Sequence, residues 1–157
     1  MTDRSVVHTS YTIERVYSAT PAQAFAAWAT PDVKRQWFVD SDSAEWQSLD
    51  YGLDFRVGGR EHGRFRFGGE GPVHGNETVY LDIVPDARII FAYTMSMDER
   101  RTSASVVTVE LKPEGQGTRL IFTEQGAFLD GLDSAESRQK GWGGLLDALG
   151  AFLQKQG

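Results

Sequence analysis

The sequence predicts an α+β domain: a curved antiparallel sheet of about six to seven strands wrapped around a long C-terminal helix, with two short helices after the first strand. Three observations lead there. From Asp133 to Gln156, Trp142, Leu145, Leu146, Leu149, Phe152 and Leu153 recur at i, i+3, i+4 and i+7, one buried face of a helix. From Glu45 to Gln125 the apolar residues switch to the period of two that belongs to strands. Between Thr20 and Phe38 two Thr-Pro pairs each mark the start of a short helix.

Val6 to Tyr17 mixes β-branched and aromatic residues, with Tyr11, Ile13 and Arg15 opposite Thr12, Glu14 and Val16, and reads as the first strand. Thr20 caps a helix from Pro21 to Ala29, its hydroxyl accepting from free amides while proline fills the first turn. Thr30-Pro31 opens a second helix through Trp37, and Phe25, Trp28, Val33, Trp37 and Phe38 require the pair to cover a sheet edge or mouth. Leu53 to Val57 and Gly63 to Phe67 are expected as strands around Gly58-Gly59. Asn76 to Val84 and Arg88 to Met97 flank Pro85-Asp86; Ser103 to Leu111 and Thr118 to Gln125 flank Pro113 to Gly117.

Alternation assigns an inward face to Phe55, Val57, Phe65, Phe67, Val79, Leu81 and Ile83, then to Ile89, Phe91, Tyr93 and Met95. Val107, Val109, Leu111, Leu120 and Phe122 complete it, and Arg64, Arg66, Thr108, Glu110 and Arg119 take the other face. The terminal helix, capped by Asp133 with Glu136 three residues on, is the one long amphipathic element able to cover that sheet. Gly143 and Gly150 fall on one flank of its apolar stripe, Gly141 on the other, and Gly144 further round. Each glycine weakens a helix by about 1 kcal/mol relative to alanine, so something approaches closely there, either packed backbone or a bound molecule.

At 157 residues the chain is expected to form one domain, residues 1–157, around one core. A hydrophobic share of 40% and a charged share of 24% place it with soluble globular proteins. The absence of cysteine excludes disulfides and thiol chemistry, and with no apolar leader or membrane-length run the expected location is cytoplasmic, without a membrane partner. The net charge of −6 argues against nucleic acid as a partner. The Gly63-Arg64-Phe65-Arg66-Phe67 segment is faintly like an RNA-stacking strand, but its phenylalanines are expected on the core face.

His8, His62 and His74 lie in separate segments without metal-ligand spacing, so no metal and no cofactor are expected. The acidic stretch Asp40 to Glu45 lacks the spacing of a calcium loop and reads as a solvated loop. No Gly-x-Ser-x-Gly elbow or phosphate loop occurs.

Thr20 to Trp28, Pro31-Asp32 through Gln36-Trp37-Phe38, Asp54 to Gly59, Asp82 to Ile89, Val107 to Leu111, Gly117 to Leu120 and Gly141-Trp142 with Leu145-Leu146 appear in an order that covers almost the whole chain. In that order the chain resembles the family of activator of heat-shock protein 90 ATPase homologues, within the START-like (SRPBCC, helix-grip) superfamily. The resemblance implies a sheet gripping the terminal helix, with an elongated cavity between them that in relatives holds apolar or amphipathic molecules. The expected partner is therefore a small apolar or amphipathic ligand, and the superfamily also admits a homodimer.

Aromatic and aliphatic positions expected at such a cavity are Trp37, Phe38, Phe65, Phe91, Tyr93, Phe128, Trp142 and Leu146. A second expectation is an enzyme resembling the superfamily's cyclases and dehydratases. Glu124, turned inward by the alternation of Leu120 and Phe122, is then the acid/base candidate, with His74 and Tyr93 as partners. His74, beside Gly75 and Asn76, otherwise reads as a loop histidine. A third is a chaperone-interacting module, although the chaperone-activating relatives resemble this chain in only one of their two domains.

Overall fold

The computed structural model describes residues 4–40 and 46–156. The predicted Asp40–Glu45 loop therefore lies, apart from Asp40, outside the described residues. Strand β1 (Val6–Tyr17) leads into α1 (Pro21–Ala29) and α2 (Pro31–Lys34), which continues as one π-helical turn over Arg35–Val39. Then come β2 (Trp46–Leu53), β3 (Arg60–Phe67), β4 (Val73–Val84), β5 (Arg88–Met97), β6 (Arg100–Glu114), β7 (Gly117–Leu129) and α3 (Ala135–Gln156). All seven strands form one antiparallel sheet in the order β1-β7-β6-β5-β4-β3-β2. This is the antiparallel sheet and covering helix that the periodicities predict, in the α+β helix-grip architecture that the resemblance implies.

The start of α1 follows from its sequence. Thr20 Oγ1 accepts from the Gln23 amide at 3.2 Å while Gln23 Oε1 accepts from the Thr20 amide at 2.9 Å, a reciprocal capping box. Helix α3 begins differently from expectation: Ser134 Oγ accepts from the Ser137 amide at 3.2 Å, and the Asp133 carboxylate bonds to the Ser134 amide and to Arg138. A serine hydroxyl does the capping because the aspartate is drawn to the arginine.

Three other expectations are corrected. The predicted strand Leu53–Val57 is instead the end of β2 followed by a turn; Gly58 adopts φ +82°, Val57 is exposed, and Phe55 alone reaches inward against Phe25 and Tyr80. On β4 the inward residues are Asn76, Thr78 and Tyr80, not Val79 and Leu81. A bulge between Tyr80 and Asp82 leaves Leu81 outside and reverses the parity, so Ile83 packs on the core as expected. Phe67 has the parity of Phe65 but sits exposed at the sheet rim, edge-on to Trp46 at 5.2 Å.

The core lies between the concave side of the sheet and α3. Phe91, Val107, Val109, Leu120 and Phe122 meet Trp142, Leu146, Leu149 and Leu153, with Trp28 and Trp37 closing one end. The glycines divide as the helix does. A Cβ on Gly150 would come within 2.9 Å of the Tyr17 ring, and one on Gly143 within 3.4 Å of Arg15, so that flank is packed on β1. Gly141 and Gly144 face open space.

Candidate functional site

A cavity of about 500 Å³ opens on the α3 flank that carries Gly141. Its floor is the inner face of β3, β4 and β5, its wall the first half of α3, and its cover the π turn after α2. A larger depression of about 820 Å³ on the outer face, between His8, Ala92, Ala104 and Gln125, is shallow and open. We take the inner cavity as the site because it joins aromatic walls to buried polar groups.

Trp142 organises the apolar wall. Its ring lies 4.5 Å from Phe122, 5.8 Å from Phe38, 6.2 Å from Trp28 and 6.4 Å from Phe91, and its Nε1 donates to the Tyr93 hydroxyl at 3.0 Å. That bond satisfies the indole N–H, which would otherwise be a costly buried donor.

Two buried ion clusters flank the cavity. In the first, Lys34 Nζ lies 2.8 Å from both carboxylate oxygens of Glu61 and 3.2 Å from the Tyr80 hydroxyl. Tyr80 and Tyr51 donate to Glu61 at 2.8 and 2.6 Å. Burial pushes the Lys34 ammonium below the usual lysine range, opposed by the adjacent Glu61. Phe38 offers its face to the ammonium at 4.5 Å.

In the second cluster, Arg138 Nη1 donates to Tyr93 at 2.9 Å and Glu124 at 3.1 Å, and Nη2 donates to Ser103 at 2.7 Å and Asp133 at 2.8 Å. Glu124 also accepts from Tyr11 at 2.5 Å and Tyr93 at 2.8 Å. Burial and the neighbouring Glu124 hold the Tyr11 and Tyr93 phenols well above the usual tyrosine range.

Of the residues expected at the cavity, Phe38, Phe65, Phe91, Tyr93 and Trp142 line it. Trp37, Phe128 and Leu146 do not. Trp37 is packed edge-on to Trp28 and bonded through Nε1 to the Ala27 carbonyl; Phe128 lies against the Arg138 guanidinium; Leu146 is in the core. Glu124 is fully buried away from the cavity lining, with both oxygens engaged, so it presents no free carboxylate to a substrate. His74 is on β4 rather than in a loop; it lines the cavity, edge-on to Trp46 at 5.2 Å.

Sequence reasoning missed Lys34, Glu61, Arg138, Asn76 and Thr78. Arg138 stands four residues before Trp142 and Lys34 four before Phe38, each on its helix's buried stripe, which was the available signal.

The family described as Activator of Hsp90 ATPase homolog 1-like protein matches residues 18–154. No curated protein matches the chain. Among solved structures, an uncharacterized protein from Rhizobium leguminosarum is 46% identical, with TM-score 0.90 over 98% of this chain and 99% of its own. A protein from Rhizobium loti is 49% identical, with TM-score 0.86 over 94% and 99%. An AHSA1-like protein from Aeromonas hydrophila shares 20% identity and the fold, with TM-score 0.69 over 94% of both chains.

Proposed function

The chain belongs to the activator of Hsp90 ATPase homolog 1-like family, in the START-like superfamily, and from that premise we propose that it binds or sequesters a small, largely apolar molecule between sheet and α3. The observation that carries this is the open cavity of about 500 Å³, walled by Phe38, Phe65, Phe91 and Trp142 and edged by a few convergent polar groups. Small-molecule sites are built in this way and at this size. Apolar wall left open to water forgoes burial worth about 25 cal/mol per Å², so its persistence supports selection for an occupant.

The test is binding of an apolar aromatic probe, 2-methylnaphthalene, followed by tryptophan fluorescence and amide NMR. Saturable binding that perturbs Phe65, Met95 and Trp142 is expected. Absence of saturable binding, with no molecule carried through purification in native mass spectra, refutes the proposal. Gly141→Leu supplies the control. Gly141 lines the cavity and a Cβ there meets nothing within 4 Å, so the new side chain enters free volume and weakens the probe about tenfold or more while α3 stays helical.

A further inference from the structure

Lys34 and Arg138, the lysine and the arginine that line the cavity with His74, are both already committed. Lys34 spends its three donors on Glu61 and Tyr80, and Arg138 spends its four terminal donors on Tyr93, Glu124, Ser103 and Asp133. Two cations thus face three carboxylates, and the clusters carry a formal charge of −1 toward any occupant. A carboxylate ligand entering here loses its hydration and finds neither of these cations free.

The uncommitted polar groups are of another kind. Asn76 and Thr78 share the inner face of β4 on the cavity floor, 6% and 3% exposed. Among the described residues neither side chain has a hydrogen-bond partner in the protein. Neither is among the fully buried polar atoms that lack a partner, so their polar ends open on the cavity; an apolar occupant that sealed them from water without a matching group would cost about 1–3 kcal/mol for each. The chain also makes room for them. Gly63 stands opposite Asn76 on β3, and a Cβ there would come within 2.5 Å of Asn76 Oδ1 and 2.7 Å of the Phe65 ring.

We propose that the occupant is an uncharged, flat apolar molecule with a carbonyl or amide edge, that Asn76 and Thr78 hydrogen-bond to that edge, and that the site rejects carboxylate amphiphiles. Asn76 offers both a donor and an acceptor and Thr78 either, which matches an edge carrying C=O beside N–H or O–H. The ring lies against Phe65 of the sheet, Phe38 of the π turn and Trp142 of α3, which line the cavity. This inference rests on the ligand-binding reading.

Three probes of one ring size separate the two: naphthalene-2-carboxamide, naphthalene-2-carboxylate and 2-methylnaphthalene, titrated into the full chain by calorimetry. The carboxamide is expected to bind about tenfold or more tighter than the carboxylate. Asn76→Leu with Thr78→Val is expected to bring the carboxamide to the level of 2-methylnaphthalene without weakening the latter. A carboxylate that binds as tightly as the carboxamide overturns the inference, as does a double variant that keeps the carboxamide's advantage. Comparison of the probes on the unaltered protein decides the matter should the double variant not fold. Binding of 2-methylnaphthalene with no carboxamide preference overturns this inference alone; failure of all three probes overturns the ligand-binding reading with it.

Discussion

Replacing Arg138 by Met tests whether the second ion cluster is what fixes the first half of α3 to the sheet. The arginine is 8% exposed and Glu124 is fully buried, so the substitution leaves a carboxylate in the core with its cation gone. Breaking a buried pair on one side costs about 3–5 kcal/mol. Tyr11 and Tyr93 still donate to the carboxylate, and hydrogen bonds to a charge contribute about 1.5–3 kcal/mol each, so the expected loss sits near the lower end, about 3 kcal/mol.

Removing both buried charges with Arg138→Met and Glu124→Leu leaves orphaned hydroxyls and the part-exposed Asp133 carboxylate, and the double variant should recover at least about half of the loss. Urea unfolding followed by circular dichroism measures both, with an unchanged slope on denaturant as the check that the folded state is preserved. A loss under about 1 kcal/mol, or a double variant that loses the sum of the two singles, refutes the account of Arg138 as a charge-specific clamp.

Three further outcomes follow from the same geometry. All five tyrosines are held above their ordinary range, chiefly by burial; folded pKa values above the unfolded value near 10 mean that stability is intact below pH 10 and is lost as pH rises through it, by about 1.4 kcal/mol per pH unit for each tyrosine still protonated. Absorbance at about 295 nm should therefore show tyrosinate appearing together with unfolding, and stepwise ionisation of a folded chain refutes this. Gly144→Ala should raise stability by up to about 1 kcal/mol in thermal melts without changing probe binding, since its Cβ meets nothing; a loss of stability would contradict that. Gly63→Ala should disturb Asn76 and Phe65, lowering stability by about 1–3 kcal/mol and abolishing the carboxamide preference, and an unchanged preference would show that Asn76 does not depend on that space.

The elements were legible where local chemistry decides them. The Thr20 cap, the first strand and the α3 stripe all follow from residues within a few positions of each other. On β4 the apolar Val79 and Leu81 suggested the wrong face because the floor of a cavity is polar where a core would be apolar, and because a bulge at Leu81 changes parity without a glycine or proline to announce it. Glu124 was legible from alternation, but its partner was not. The pairing of Glu124 with Tyr11, Tyr93 and Arg138 joins β7 to β1, β5 and α3, a convergence set by sheet order rather than by spacing.

The glycines of α3 were open between tight packing and ligand room, and the two readings prove to be opposite sides of one arrangement. On the Gly143–Gly150 flank the helix backbone comes down on β1: Gly150 admits the Tyr17 ring, and the Tyr17 hydroxyl donates to the Leu146 carbonyl at 2.8 Å. On the Gly141 flank only long side chains bridge the gap to the sheet, Arg138 to Tyr93 and Ser103, and Trp142 to Tyr93. A rigid helix seated closely on β1 and propped by long side chains over β5 and β6 leaves volume above β3 and β4, where the cavity lies. Close packing at Gly150 and open space at Gly141 are thus coupled through the position of one helix. Side chains that seat α3 on β1 accordingly control the size of the site without touching its contents.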